Sequence, residues 1–263
     1  MVGIRAIMLP SGLRGSILLH MIATALAATL LGQTIPSSAS VLYPCFPESP
    51  VETQVRLVTH SATYQLEKKT AACTTLSVFK NLSSKPVTLN LRLPVRGKQV
   101  NWAQSEGLRF SAVVGKAAAS LKAGAIQRTE PTAQQKANGI WAGTFEKAYT
   151  VTLSFKAGET KSVSSTFSAP IGRAGLDGAQ RMVVYDTAGA DNWNGEVQQF
   201  NYAIQYKPSL VLQVYAALPE GNWQIGSSGA FWKKYDFAPP QKPLLIFTYY
   251  PGGFDEIGGS TGG

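Results

Sequence analysis

Apolar and polar residues alternate with a period of two in several stretches of the chain. In residues 87–93 every odd position is apolar and every even position is polar, and residues 149–155 repeat the pattern. From residue 200 to 206, aromatic and aliphatic positions alternate with Gln, Asn or Ala. Because successive side chains of a strand point to opposite faces, this pattern predicts half-buried antiparallel strands. Parallel sheets show continuous apolar runs instead.

Shorter alternations and apolar runs predict further strands, at residues 54–58, 76–79, 110–114, 182–185, 210–215 and 244–249. Turn-forming residues separate them, for example at 81–86, 115–116 and 157–159. The sequence therefore predicts an all-β protein, an antiparallel β-sandwich that is immunoglobulin-like in the broad sense.

One elaborated sandwich domain is predicted over residues 40–250. Residues 117–143 are rich in Ala, Gln, Lys and Thr and are interpreted as an irregular insertion, with room for a short helix around 133–137. Two smaller sandwiches meeting in this segment are the alternative. Residues 251–263 are mostly Gly, Ser and Thr and predict a flexible tail.

The N-terminal segment, residues 1–39, has the three-part layout of a secretory signal peptide. Two arginines and no acid precede an apolar run at 17–31, and small residues follow at 36–40. We expect cleavage near Ala39 or Ser40 and export to the periplasm, the cell envelope or the extracellular space. A retained membrane anchor is disfavoured because the run is shorter than the roughly 20 residues of a spanning helix. A lipid anchor at Cys45 is also disfavoured, since Leu-Tyr-Pro precedes it instead of small residues.

The charge balance limits the possible partners. The chain has 24 Lys and Arg against 15 Asp and Glu, and removing Arg5 and Arg14 with the signal leaves 22 against 15, a net charge of +7. Such a field attracts an anionic surface or polymer. Lysines occur as isolated pairs, 68–69 and 233–234, and not as a basic cluster, so no nucleic-acid partner is expected.

Cys45 and Cys73 are the only cysteines, and both are retained after signal cleavage. In an oxidising compartment we expect them to form one disulfide. Leu76 marks one face of its strand, so Cys73 shares the opposite face with Thr75 and Ser77. The bond is therefore predicted outside the main core.

Residues for common catalytic chemistry are scarce. His60 is the single histidine of the mature chain and is interpreted as a turn residue. Without a second histidine or free thiols, no metal site or cofactor is expected. No G-x-S-x-G motif is present for a serine nucleophile. The sequence thus predicts no catalytic residue.

Asp186, Asp191 and Glu196 form the densest acidic group, in the loop DTAGADNWNGE. Two carboxylates suffice for glycoside hydrolysis, so these acids are the candidates for that chemistry. The favoured interpretation is a solvated polar loop. A calcium site is disfavoured because the acids do not follow the alternating ligand spacing of a calcium loop.

Trp102, Trp193 and Trp223 each follow an asparagine in a predicted loop. An exposed indole offers a flat apolar platform that stacks on a sugar ring or docks into a partner, so these three are candidate ligand-binding residues. The favoured interpretation of each is nevertheless a core position or a plug at a strand end. Trp141 and Trp232, in more apolar surroundings, are predicted to be buried.

Four segments together resemble exported bacterial β-domain proteins of an uncharacterised, domain-of-unknown-function family. They are VFKNLSSKPVTLNLRLPV, FKAGET, NYAIQYKPSL and FWKKYDF, within roughly residues 51–250. The resemblance implies a sandwich fold and an envelope or extracellular location. It supplies no catalytic residues.

The expected function is therefore an exported, non-enzymatic binding or structural module, with a glycan or an anionic envelope polymer as possible partner and no membrane span after cleavage. Two alternatives stay open. One is a carbohydrate-binding module that uses the loop tryptophans, and the other is a carboxylate-based glycan hydrolase.

Overall fold

Three β-sheets make up most of what the computed structural model describes, namely residues 41–49, 54–98, 109–137, 143–175, 178–238 and 244–252. The all-β prediction is confirmed. The strands are β1 (Leu42–Pro44), β2 (Val55–Leu66), β3 (Thr70–Asn81), β4 (Val87–Lys98), β5 (Arg109–Val114), β6 (Ala117–Ala118), β7 (Lys122–Ala123), β8 (Gln127–Thr129), β9 (Thr144–Phe155), β10 (Thr160–Pro170), β11 (Gly172–Ala174), β12 (Gln180–Asp186), β13 (Val197–Gln205), β14 (Val211–Leu218), β15 (Trp223–Ile225), β16 (Gly229–Phe237) and β17 (Leu244–Pro251).

The largest sheet has eight strands in the order β15-β16-β13-β2-β3-β10-β5-β6. A second sheet has the order β1-β4-β9-β7, with β8 also paired to β9, and a third has the order β11-β12-β17-β14. Within the described strands, pairing is antiparallel except between β13 and β2, which run parallel. The prediction of antiparallel pairing is therefore wrong at that one position, and an immunoglobulin-like arrangement is not confirmed.

The apolar positions of the alternating segments form one continuous core. Leu91 and Val151 face each other in the β4–β9 pair, and both are buried. Phe200 of β13 and Phe167 of β10 join them from the eight-stranded sheet, and Phe247 joins from the four-stranded sheet. The period-two pattern thus identified the core faces of β4, β9 and β13 correctly.

The core face of β3 is the opposite of the one predicted. Cys73, Thr75 and Ser77 do share a face, but this face is buried, and Leu76 is 46% exposed. Burial is tolerated because the hydroxyls have partners: Thr75 Oγ1 lies 2.7 Å from Ser165 Oγ. The alternation therefore gave the grouping of residues but assigned the wrong group to solvent.

The predicted disulfide is absent, because Cys45 and Cys73 are both free thiols. Cys45 directly follows β1, where its N–H donates to Pro94 O at 3.0 Å. Cys73 lies in the middle of β3 and is completely buried in the core. Burial raises the pKa of both thiols. Both cysteines are accordingly buried, Cys45 just after β1 and Cys73 within β3, and neither ties a loop to the surface.

The segment predicted as an irregular insertion contains three short strands, β6, β7 and β8, and one helix, α1 (Ala133–Ala137). β6 pairs with β5, whereas β7 and β8 pair with β9. The segment therefore passes from the eight-stranded to the five-stranded sheet. The helix lies where the sequence left room for one.

The predicted signal peptide, residues 253–263 of the predicted tail, Trp102 and Trp141 lie outside the described residues, so those predictions stay predictions. Pro251, the first residue of the predicted tail, is the last residue of β17. The described strands all belong to one unit, Ser37–Gly263. Within the described part of the chain, no helix has the length and apolar character needed to cross a membrane.

Candidate functional site

The outward side of the eight-stranded sheet presents a broad set of side chains in cross-strand register. We call it the open face and define it by fifteen residues on β16, β13, β2, β3 and β10. In that strand order, its three rows are Phe231, Ala203, Thr63, Thr74 and Thr166; Lys233, Asn201, Ser61, Leu76 and Ser164; and Tyr235, Gln199, Thr59, Val78 and Ser162. Strand spacing and rise give it about 19 Å by 13 Å.

Hydroxyl and amide groups dominate this open face. Nine of its fifteen residues are Ser, Thr, Asn or Gln, and Lys233 is the single charged member. The face forms because most of the opposite positions of the same strands are apolar and fill the core, such as Tyr202 on β13 and Ala62 on β2. A bulge in β2 between Leu57 and Thr59 resets the alternation so that Thr59 points outward with the rows that follow.

Two exposed aromatic rings lie at the β16 edge of the open face. Phe231 is 49% exposed and Tyr235 is 60% exposed. They are four residues apart on one side of the strand, a separation of about 13 Å. Lys233 lies between them, and its Nζ is 4.6 Å from the centre of the Tyr235 ring. This edge offers flat apolar rings next to a cation, a pairing of groups suited to a ligand with both an apolar face and a negative charge.

A second polar group, the arginine cluster, lies on the outward side of the five-stranded sheet. Arg92 donates to Glu48 and to Glu146, each at 2.6 Å. Arg96 donates to Glu146 at 2.8 Å, to Asp186 at 2.7 Å and to Glu48 at 3.0 Å. Alternation places both arginines and Glu146 on one face of β4 and β9, where Arg96 and Glu146 are in register.

The arginine cluster joins the segment after β1 and the end of β12 to the β4–β9 pair. Its three carboxylates are largely buried, with exposed side-chain fractions of 8% for Glu48 and Asp186 and 19% for Glu146. Desolvation raises the pKa of Glu48, opposed by the charges of Arg96 and Arg92. Because every carboxylate is engaged by an arginine, the cluster is built for cross-linking rather than for proton transfer.

His60 lies in the middle of β2 and is buried, so its interpretation as a turn residue is wrong. Its Nδ1 is 2.8 Å from Ser77 Oγ and its Nε2 is 2.6 Å from Tyr185 Oη. Tyr185 Oη also donates to the carbonyl of Cys45 at 3.3 Å. Burial lowers the pKa of His60 to about 3, so the ring is neutral. The alternation could not reveal this position because a histidine counts as polar, whereas here its polar atoms are satisfied inside the core.

The three candidate tryptophans have different environments. Trp193 is buried, packs 4.9 Å from the ring of Phe79 and donates its indole N–H to Pro47 O at 2.8 Å. It presents no platform to solvent, so its candidate role as an exposed ligand-binding ring is wrong and it occupies a core position. Trp223 is half-buried, donates to Pro219 O at 3.0 Å and packs edge-on against Tyr202. Trp102 lies outside the described residues.

The side chains of two acidic loop candidates, Asp186 and Glu196, are described, and their environments differ. Asp186 is buried at the end of β12, where it pairs with Arg96 and accepts from the Ala188 N–H at 2.9 Å. Glu196 is exposed, and its backbone carbonyl accepts from Arg56 at 3.0 Å. The side chain of Asp191 is outside the part of the structure that is described. Where side chains are described, no group of three or more His, Cys, Asp or Glu residues is placed to hold a metal ion.

Sequence reasoning missed both the open face and the arginine cluster. The signal for the cluster was available, since Arg92 and Arg96 occupy polar positions of the same alternating strand. Glu48 could not be assigned, because only the fold brings its segment against β4. The polar positions of each alternating strand indicate which residues point outward. Which of these residues become neighbours on the open face depends on the order of strands in the sheet.

No protein-family model matches the sequence, and no curated protein matches it. In structure the chain is similar to a Legionella pneumophila protein provisionally named as a nutrient binding protein, with a TM-score of 0.63 and 15% identity. The alignment covers 81% of this chain and 72% of that protein. This similarity establishes a shared all-β fold.

Two other solved structures align less closely. A zinc metallopeptidase from Deinococcus radiodurans has a TM-score of 0.37 and 10% identity over 74% of this chain, and yeast LTA4 hydrolase has a TM-score of 0.37 and 12% identity over 78% of it. The chain spans 42% and 31% of their lengths. Similarities at this level support no inference on function.

Proposed function

We propose that this chain is an exported, non-enzymatic binding protein of the cell envelope or the extracellular space, and that the open face is its binding site. The observation that carries the proposal is the cross-strand register of fifteen outward side chains, with exposed Phe231 and Tyr235 at one edge. Rings of this kind dominate binding energies where a ligand buries them.

The state of the acidic and imidazole groups supports a non-enzymatic role. Glu48, Glu146 and Asp186 are held by two arginines, and His60 is buried and neutral. A general acid or base needs a proton-transfer path to a substrate. The structural similarity to a protein provisionally named as a nutrient binding protein points in the same direction, although at 15% identity it is a likeness of fold.

Export rests on the N-terminal segment. If it is a signal peptide, chain recovered from the periplasm or the medium begins close to Ser40, as N-terminal sequencing measures. Protein that keeps Met1 and fractionates with membranes would overturn the location.

Binding and catalysis are tested on the purified exported chain. Glycan and small-molecule arrays identify the ligands, and we expect the double variant Phe231→Ala/Tyr235→Ala to lose their binding. The control Tyr215→Ala, which removes an exposed ring from the four-stranded sheet, should retain it. Turnover of any ligand that disappears in Glu48→Gln would contradict the non-enzymatic function. If Phe231→Ala/Tyr235→Ala binds the ligand as well as the control Tyr215→Ala does, the open face is not the binding site.

A further inference from the structure

We propose that the ligand of the open face is an acidic polysaccharide, an inference that rests on the binding function proposed above. The first support is the polar composition of the face. Hydroxyl and amide groups both donate and accept hydrogen bonds, as the hydroxyls of a sugar chain do. In contrast, the central part of a protein–protein interface is enriched in aromatic residues, Met and Arg and depleted in Ser. The central strand of this face, β2, contributes Thr63, Ser61 and Thr59 to it.

The second support is charge. None of the fifteen side chains of the open face is acidic, and Lys233 contributes a positive charge within it. Arg56 and Lys80, opposite each other in the β2–β3 register, continue the same side of the sheet and add two more. Asp236, the acid nearest to Lys233 along β16, is exposed at the end of that strand and is not a member of the open face. This one-sided charge complements a polyanion.

The third support is the arrangement at the β16 edge. Lys233 Nζ lies 4.6 Å from the ring centre of the exposed Tyr235. A sugar acid combines an apolar C–H face with a carboxylate, so one residue can stack on the ring while its carboxylate pairs with the ammonium group. Phe231, about 13 Å along the strand from Tyr235, provides a second ring on which another sugar unit of the same polysaccharide can stack. A long polymer can therefore contact both ends of the edge.

The test measures binding of the exported chain to three acidic polysaccharides: polygalacturonate, alginate and hyaluronate. Methyl-esterified polygalacturonate serves as the uncharged control for the first. We expect at least one acid polymer to bind, with affinity that falls as salt rises, and the esterified polymer to bind at least about fivefold more weakly. Failure of all three acid polymers, or equal binding of the esterified one, overturns the proposal.

Variants separate specific from general electrostatic attraction. Lys233→Gln should weaken the acid polymer about fivefold, whereas Lys136→Gln, the same charge change on the exposed side of α1, should not. Tyr235→Ala should weaken binding similarly, and Tyr235→Phe should restore it because the ring is kept. All three positions are exposed, so unchanged melting temperatures are expected for the four variants.

Equal losses for Lys233→Gln and Lys136→Gln would show attraction by net charge alone and would overturn the proposal. So would tighter binding of single-stranded DNA than of any acid polysaccharide, since aromatic and basic groups also bind that polymer. If another ligand class binds and responds to Phe231→Ala/Tyr235→Ala, the binding function stands and only the polysaccharide assignment fails.

Discussion

His60 Nε2 lies 2.6 Å from Tyr185 Oη, a contact that joins β2 of the eight-stranded sheet to β12 of the four-stranded sheet through the core. One proton assignment satisfies all the neighbouring groups: Ser77 donates to Nδ1, Nε2 donates to Tyr185, and Tyr185 donates to the Cys45 carbonyl. The ring of Phe46 covers the imidazole at 4.2 Å between centroids. The histidine is thus a neutral structural link between sheets.

This link predicts a loss of stability at acid pH. Burial lowers the pKa of His60 from 6.5 to about 3, so the unfolded chain takes up a proton at a higher pH than the folded one. The stabilisation is fully present above pH 6.5 and is lost as pH falls from 6.5 towards 3, by up to about 1.4 kcal/mol per pH unit. Urea unfolding at several pH values measures it. His60→Gln should reduce this slope, and an equal slope in the two proteins would refute the assignment.

The two thiols should be unreactive in the native protein. Cys45 and Cys73 are buried, and burial raises the pKa of each, so little thiolate is available to an alkylating reagent. Mass spectrometry without reductant should find two alkylated cysteines only after denaturation. Thr74→Cys, next to Cys73 but exposed, is the control that should react at once. An intact mass lower by two hydrogens, with no alkylation after unfolding, would show that the two cysteines form a disulfide.

Removing Arg96 should destabilise the protein strongly. Arg96→Met leaves Asp186 without its arginine and leaves Glu48 and Glu146 with Arg92 alone, at side-chain exposures between 8% and 19%. We expect a loss of about 3 kcal/mol in the free energy of unfolding, as for other buried ion pairs that lose one partner.

The control for this change is Lys161→Met, which breaks a more exposed pair with Glu159 at 3.7 Å and should cost below about 1 kcal/mol. Chemical denaturation of both variants gives the comparison. Similar losses would show that the arginine cluster contributes no more than a surface pair.

Trp193 should behave as a core residue. Trp193→Ala removes a buried ring next to Phe79 and the donor to Pro47 O, so about 3–5 kcal/mol should be lost. Trp223→Ala, at a half-buried position, should cost less. Thermal or urea unfolding measures these losses. A Trp193→Ala variant as stable as the parent protein would contradict the core position of this ring.

The strands with regular alternation were predictable because one face of each packs on the core. Leu89, Leu91 and Leu93 on β4 and Phe200, Tyr202 and Ile204 on β13 show this directly, since all are buried as the pattern predicts. β3 was not predictable in the same way. Its two faces are both mixed, with Leu76 outside and Ser77 inside, so the pattern does not distinguish them.

By itself, the sequence determined that this protein is built of strands, where most of the strands lie and which residues share a face, because these properties follow from the local two-residue period of a strand. It did not determine the pairing of β2 with β13, the free state of Cys45 and Cys73, or the ion pairs of Glu48 with Arg92 and Arg96. The strand pairing and the ion pairs join residues 44 to 140 positions apart, and the separation of the two thiols depends on how the strands are arranged. Only tertiary packing fixes them, since the partner of a buried polar group is set by which sheets meet across the core.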